Sequence, residues 1–473
     1  MEAMLLIGAG LLAATMAMGA ANEPLRLHPD NPHYFLFRGE PTIVITSGEH
    51  YGAVLNLDFD YVKYLDTMKR EGMNNSRMFV GAYCEAPGDF TIAANTLAPA
   101  EGRFICPWAR SDQPGYANGG NKFDLTRWDE AYFARLKDFV GQASRRGIIV
   151  EVNLFCPFYG DSMWNLSPMK ASNNINGVGD VGREAVYTTD PGNALLPVQE
   201  AMARKVVTEL RDYDNLYFEV MNEPYCGPIP LDWQLHLAKV VADAEEGLAH
   251  RHLISRNVAN HRARVESPHP AEGIYNFHYA WLPDTVAMNY DLNRVIGDNE
   301  TGFAGTAPLH YRKEAWAFIV AGGGLYNNLD YSFTVGHEDG TFEYPETQPG
   351  SGGVELRRQL RLLGRFIRAF DFIAMRPMPE VVQGALPEGV AVQVLAEAGR
   401  QYAVYVCAVD DAATVGAIEL SLDLPKGEYT AEWVDPLTGG VALREKFSHT
   451  GGQRKLVSPD IAQDMALRIH GGG

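Results

Sequence analysis

Two acidic residues stand where acid–base chemistry could be done. Glu223 lies in the run Glu219, Val220, Met221, Asn222, Glu223, Pro224, at the end of an apolar stretch that reads as a β-strand. Glu300 closes a second such stretch, in Ile296, Gly297, Asp298, Asn299, Glu300, Thr301, Gly302, 77 residues further on. Two carboxyl groups in different protonation states are what breaking a glycosidic bond requires: one protonates the leaving oxygen, the other attacks the anomeric carbon or activates water. A spacing of about 5–5.5 Å gives retention of configuration and about 6.5–9.5 Å gives inversion. The expected roles are Glu223 as general acid/base and Glu300 as nucleophile, with Arg77 close enough to keep the nucleophile charged.

Residues so far apart in sequence meet only if the intervening elements bring their strand ends together. Between residues 40 and 375, short apolar or β-branched runs alternate with helical patterns, as in parallel βαβ units. The strands are expected at Thr42 to Thr46, Asn74 to Phe79, Ile148 to Phe155, Leu216 to Met221, Leu253 to Asn257, Ile274 to Tyr279, Val295 to Asp298 and Leu325 to Leu329. Helices are expected at Phe59 to Arg70, Trp128 to Arg146, Val198 to Tyr213, Trp233 to Leu248, Tyr311 to Ala321 and Val354 to Phe372. Eight strands in this alternation predict an α/β fold, a closed (β/α)8 TIM barrel, whose functional residues gather at the carboxyl ends of the strands. Glu223 then ends the fourth strand and Glu300 the seventh. Two connections, Val80 to Thr126 and Cys156 to Pro197, are long enough to narrow the barrel mouth into a pocket for short or chain-end substrates. Beyond residue 376 the pattern becomes alternating strands, Val390 to Leu395, Gln401 to Val409, Ala417 to Leu422 and Glu428 to Trp433, a small β-sandwich. The expected domains are therefore a signal peptide at 1–21, a catalytic barrel at 22–375 and a β-sandwich at 376–473.

The triplet Asn222, Glu223, Pro224 resembles the acid/base motif of clan A glycoside hydrolases, which include the cellulase-like family 5. Glu300 matches the clan's nucleophile, Arg77 in Asn74, Asn75, Ser76, Arg77 resembles the strand-two arginine, and His278 in Asn276, Phe277, His278, Tyr279 resembles the strand-six histidine. The resemblance implies that Asn222 binds the sugar 2-hydroxyl, that Arg77 supports Glu300, and that His278 lines the subsite beside the scissile bond. In the family a Tyr usually follows the histidine by two positions, where this chain has Ala280 with Tyr279 adjacent. A Trp usually ends strand eight, where this chain has Tyr326 to Tyr331. The last domain, with Trp433, Val434, Asp435, Pro436, resembles the collagen-binding-like sandwich appended to many clan A enzymes, here expected as a scaffold.

Composition narrows the partners. A net charge of −19 disfavours nucleic acid, whose binding depends on Lys and Arg neutralising phosphates, and a neutral oligo- or polysaccharide suits it. The apolar run Met4 to Met18, followed by Gly19, Ala20 and Ala21, is short for a membrane span and reads as a signal peptide, despite Glu2 and the lack of a basic residue before it. Export, to the periplasm or the exterior, is expected, with no membrane span after removal of the signal. Gly8, Gly10 and Ala13 imitate a dinucleotide-binding spacing but lack the following βαβ unit. Five cysteines form no CxxC pair, and no cofactor or metal is expected; in an exported chain Cys84 and Cys106 could form a loop disulfide. Glu49, His337, Glu338 and Asp339 have no metal-ligand spacing and read as solvated loop. His50 is a candidate for substrate hydrogen bonding, and Trp108, Trp164 and Trp281 for stacking on sugar faces. A carbohydrate- or matrix-binding protein that keeps the barrel without turnover, and a transglycosylase using the same carboxylates, are the competing readings.

Overall fold

The structure, a computed structural model, describes residues 23–472, so the expected signal peptide lies outside the described residues. Eight parallel strands form the barrel: β1 Val44–Gly48, β2 Asn75–Phe79, β3 Ile149–Phe155, β4 Leu216–Met221, β5 Ile254–Asn260, β6 Glu272–His278, β7 Val295–Thr301 and β8 Leu325–Leu329. Their order is β1-β8-β7-β6-β5-β4-β3-β2. Most are buried along their whole length, because a parallel barrel covers both faces of each strand. Between β1 and β2 the Asn74 side chain supplies what a ladder would: its amide donates to the Ile43 carbonyl at 2.8 Å and its oxygen accepts from the Ile45 N–H at 2.9 Å.

Caps set where each helix hands the chain to the next strand. Helix α1 (Tyr61–Glu71) starts at Asp60, whose carboxylate accepts from the N–H groups of Val62 and Lys63, and stops at Gly72 with φ 83°. Helix α2 (Glu130–Arg146) repeats the device with Asp129 and with Gly147 at φ 70°. The remaining helices around the barrel are α3 Leu196–Leu210, α4 Leu231–Ala244, α5 Asp284–Asn289, α6 Pro308–Val320 and α7 Val354–Ile367, and a short helix, Asp161–Leu166, lies in the loop after β3.

The first strand lies later than Thr42 to Thr46, since Glu40–Thr42 instead pairs antiparallel with Phe35–Phe37 in a three-stranded sheet. Leu25, Phe35 and Phe37 from this region pack on Val44, Ile149, Tyr217, Ile274, Val295 and Leu325 at the starts of barrel strands, closing the amino-terminal end. Strand β7 runs three residues past the expected Asp298, so Glu300 is held inside a strand rather than beyond one.

The carboxy-terminal part is all-β. A six-stranded antiparallel sheet includes β9 Val390–Glu397, β10 Gln401–Ala408, β12 Gly427–Val434, β13 Val441–His449 and β15 Asp464–Gly472, with Arg376–Pro377 at its edge. A three-stranded sheet holds Val382–Gln383, β11 Glu419–Leu424 and β14 Gly452–Val457. Their apolar faces share one core, from Val394 and Tyr402 to Leu422 and Leu467. The other face of β10 joins the barrel core, where Tyr405 stacks on Trp316 of α6 at 5.6 Å.

Cys84 and Cys106 are buried free thiols, not a disulfide. The Cys106 S–H instead points to the Trp108 carbonyl at 3.7 Å. Among the described residues no helix is long and apolar enough to cross a membrane.

Candidate active site

The ends of β4, β6 and β7 bring Glu223, His278 and Glu300 together. One ligand atom from each, a carboxylate oxygen or a ring nitrogen, lies within 4.8 Å of the others. His278 sits between the two acids, with Nδ1 3.1 Å from Glu223 Oε1 and 3.6 Å from Glu300 Oε1. The Asn257 amide meets His278 Nε2 at 2.6 Å. If that amide donates, the ring proton is placed on Nδ1, facing the carboxylates.

Glu300 is held by three donors, one on β2 and two just past the ends of β1 and β6. Arg77 Nη1 reaches Oε2 at 2.9 Å, the Tyr51 hydroxyl reaches Oε2 at 3.0 Å and the Tyr279 hydroxyl reaches Oε1 at 2.7 Å. Burial and then the charge of Glu300 push both tyrosines well above the usual phenol value, so both stay donors. The missing Tyr at position 280 is thus supplied from position 279, whose backbone turns into the left-handed region, φ 52°, immediately after the strand.

Arg77 is wholly enclosed and serves three carboxylates. Besides Glu300 it donates to Glu151 at 2.7 Å, to Glu219, and to Asn222 Oδ1 at 2.6 Å. Burial, then the neighbouring Glu219 charge, pushes Glu151 up to about 8, so it holds a proton at neutral pH. Arg77 then balances two carboxylates rather than three. Asn153 donates at 2.8 Å to the Glu219 oxygen that Arg77 also meets, and Asn276 and Asn299 donate to the other at 2.7 and 2.9 Å, which ties the support of Glu300 to β2, β3, β4, β6 and β7.

Glu223 is gripped from both sides. The Tyr159 hydroxyl donates to Oε2 at 2.5 Å, and Asn222 Nδ2 donates in turn to that hydroxyl at 2.9 Å. The Tyr225 hydroxyl stands 3.4 Å from Oε1. Burial drives Glu223 upward, but the hydrogen bond and charge of His278, then Tyr159, outweigh it and hold it below the usual carboxylate range. Burial likewise opposes protonation of His278, and the two carboxylates outweigh it and raise that group. The acid and the imidazole therefore titrate as a pair.

These groups line a cavity of about 270 Å³. Its wall is built from the carboxyl ends of β1 to β7 and the loops that follow them. Five of the non-glycine residues with positive φ line it: Tyr51 (61°), Phe90 (54°), Glu223 (38°), Tyr279 (52°) and Phe303 (57°). Such backbone costs about 1–3 kcal/mol per residue and persists where the surroundings impose it, typically at functional sites. A larger cavity of about 410 Å³ is lined by Tyr225 and the turn from Gly227 to Leu231, and neither acid lines it.

The three convergent ligand atoms could in principle hold a cation. Arg77 already supplies positive charge 2.9 Å from Glu300, and the Tyr159 and Tyr279 hydroxyls each donate to one of the acids. With those donors in place the set fits a pair of hydrogen-bonded acids better than a metal.

Arg77, Asn222, His278, Tyr279 and His50 all lie at or against the cavity. Trp164 and Trp281 do not. The Trp164 indole is buried in its loop, donating to the Val181 carbonyl at 3.0 Å and packing on Phe158. Trp281 lies beside His310 and under the Lys313 ammonium, 5.1 Å away. Trp108 is fully buried. The aromatic lining is instead Tyr51, Phe79, Phe90, Tyr159, Tyr279 and Phe303. Glu49 and Glu338 are buried rather than solvated: Glu49 accepts from the Gly52 and Ala53 N–H groups, and Glu338 from those of Asp60 and Gly336.

Residues 62–250 match the family model Cellulase (glycosyl hydrolase family 5). The barrel is similar in fold to those of family 5 glycoside hydrolases. A putative glycoside hydrolase from Bacteroides vulgatus aligns over 95% of this chain and 83% of its own, with 16% identity and a TM-score of 0.68. A glycoside hydrolase family 5 protein from the same organism aligns over 95% and 94%, with 13% identity and a TM-score of 0.61. A glycoside hydrolase family 5 mannosidase from Rhizomucor miehei covers 74% of this chain and all of its own, with 11% identity and a TM-score of 0.51. No curated protein is matched by the sequence. The match to the family model ends at residue 250, and Glu300, His278 and Tyr279 lie beyond it.

Proposed function

We propose that the chain is an exported, retaining β-glycosidase that degrades oligo- or polysaccharide, with Glu223 as acid/base and Glu300 as nucleophile. The observation that carries the reading is that one oxygen of each carboxylate lies within 4.8 Å of the other, with His278 between them. An approach that close favours direct attack on an anomeric carbon over the wider carboxyl spacing, about 6.5–9.5 Å, that inversion uses.

Glu300, steadied by Arg77, Tyr51 and Tyr279, attacks the anomeric carbon while Glu223 passes its proton to the leaving oxygen. A sugar filling the cavity strips water from Glu223 and moves it toward the protonated form that this step needs. Once Glu300 is esterified its charge is gone, Glu223 returns to the carboxylate, and it takes a proton from the incoming water. An enclosing wall built from seven strand ends favours short substrates or chain ends over the middle of a polymer.

The test is turnover of a panel of aryl β-glycosides and oligosaccharides, with the first-formed anomer read by NMR. Glu223→Gln is expected to lower kcat by about 100- to 10,000-fold, the usual contribution of a positioned acid/base, while ligand binding survives. Glu300→Ala should abolish turnover, and the product of the parent enzyme should keep the β configuration. Binding without any turnover in the parent protein would instead make it a lectin, and products carrying added sugar acceptors in place of water would make it a transglycosylase.

A further inference from the structure

The cavity has two unlike sides. Cys226 and Asn260 line it with Glu223 on the side where the leaving group must depart, with the Tyr225 hydroxyl 2.7 Å from Asn260 Oδ1 behind them. On the side of Glu300 and Tyr51 the wall is His50 with Glu85, which enters from the long loop after β2. Glu85 is fully enclosed except toward the cavity and is held by three donors: His50 Nε2 at 3.2 Å and Asn95 Nδ2 at 2.5 Å on Oε2, and the Tyr83 hydroxyl at 3.0 Å on Oε1.

A carboxylate offers about four acceptor positions. Three are filled within the protein, and the fourth, on Oε1, is left for a ligand donor. Neither of the acid–base steps uses this group. An acceptor fixed by three hydrogen bonds is set up to take a hydroxyl proton, and because its orientation is already fixed it loses little entropy on binding.

We propose that Glu85, braced by His50, Asn95 and Tyr83, is the hydroxyl-recognising wall for the terminal sugar, and that this sugar is uncharged. The proposal rests on the glycosidase reading and adds the class of the sugar to it. Three carboxylates line the cavity, Glu85, Glu223 and Glu300, and no lysine or arginine does. Arg77, the nearest guanidinium, is sealed behind Glu300 and fully occupied. A uronate or sulfated ring would bring a further negative charge to a wall of carboxylates whose one basic lining group, His50, is already paired with Glu85, whereas a neutral ring offers Glu85 the donor it lacks.

The experiment separates binding from turnover. In the Glu223→Gln protein, NMR titration of neutral aryl β-glycosides, their single deoxy analogues and the matching uronides reads recognition alone. At least one neutral glycoside is expected to bind more than 30-fold tighter than its uronide. One deoxy analogue should lose more than tenfold, and adding Glu85→Ala should erase that difference while leaving the other deoxy losses unchanged. Equal or tighter uronide binding, no binding of any neutral glycoside, or a Glu85→Ala loss spread evenly over all analogues would overturn the proposal. If recognition follows this pattern but the parent protein with Glu223 intact turns nothing over, the glycosidase reading fails and the sugar assignment stands.

Discussion

At the scale of single residues, the site turns on how each carboxylate is hydrogen-bonded. Tyr159 contributes the shortest of the contacts to Glu223, at 2.5 Å, and its own proton is secured by burial and by the neighbouring Cys156 and Glu223, which push it well above the usual phenol value. A donor favours the carboxylate form, so removing it raises Glu223. The first chemical step needs Glu223 protonated, and kcat/KM falls as pH rises through that group. Tyr159→Phe should therefore move the basic limb of the kcat/KM profile to higher pH. With about 1.5–3 kcal/mol for a hydrogen bond to a charged group and about 1.4 kcal/mol per pH unit, the limb should move by about one to two pH units. A basic limb that stays put, or moves down, would show that Tyr159 only packs. Tyr159 was invisible in the sequence because nothing in the loop Cys156 to Pro197 fixes which aromatic turns inward. Trp164 has the ring type favoured for sugars, yet its loop folds it onto Phe158, and the smaller neighbour with a hydroxyl reaches the acid. Glu223, Glu300, Arg77 and His278 were legible for the opposite reason: strand ends have a fixed place in a barrel.

At the scale of elements, the strands were easier to read than the helix that joins the two parts. Apolar runs of β4 and β8 gave their limits directly, whereas β1 was displaced because Glu40–Thr42 pairs with a strand the alternation does not reveal. Helix α6 resists a periodicity argument because it is enclosed by the barrel on one side and β10 on the other, so even Arg312, Lys313 and Glu314 are buried. Burial and then Asp411 push Glu314 up to about 8, and burial and then Glu314 push Asp298 well above the carboxylate range. Lys313 and His310, both on α6, are drawn to Asp411 at 2.6 and 3.0 Å instead. A carboxyl raised in the folded state keeps its proton while the unfolded chain loses it. Its stabilisation is complete below about pH 4.5 and drains away as pH climbs toward 8, at about 1.4 kcal/mol per pH unit per group. Urea unfolding at pH 5 and pH 7.5 should show the parent protein weaker at the higher pH, and Glu314→Gln should shrink the difference. An unchanged slope would mean that Glu314 is ionised in the fold.

At the scale of the whole molecule, barrel and sandwich share an interior. Tyr405 of β10 stacks on Trp316 with its ring 21° from parallel, and its hydroxyl donates to Asp464 at 2.8 Å. The same Asp464 takes both arms of Arg312, at 2.8 and 3.0 Å, with both partners enclosed. A bidentate pair of this kind adds geometric specificity, and removing one partner strands the other as a buried charge, at a cost of about 3–5 kcal/mol. Leu395, Ala403, Cys407 and Ala466 of the sandwich also pack in the barrel's core rather than in the sandwich's own. Two parts that bury apolar surface against each other and share a buried ion pair should unfold as one unit. Chemical denaturation followed by tryptophan fluorescence, with Trp316 at the junction and Trp433 in the sandwich core, should then give a single transition that coincides with loss of far-UV signal. Asp464→Ala should lower its midpoint steeply. Separate transitions for the two parts, or an Asp464→Ala protein as stable as the parent, would mean that the sandwich is an appendage the barrel can do without.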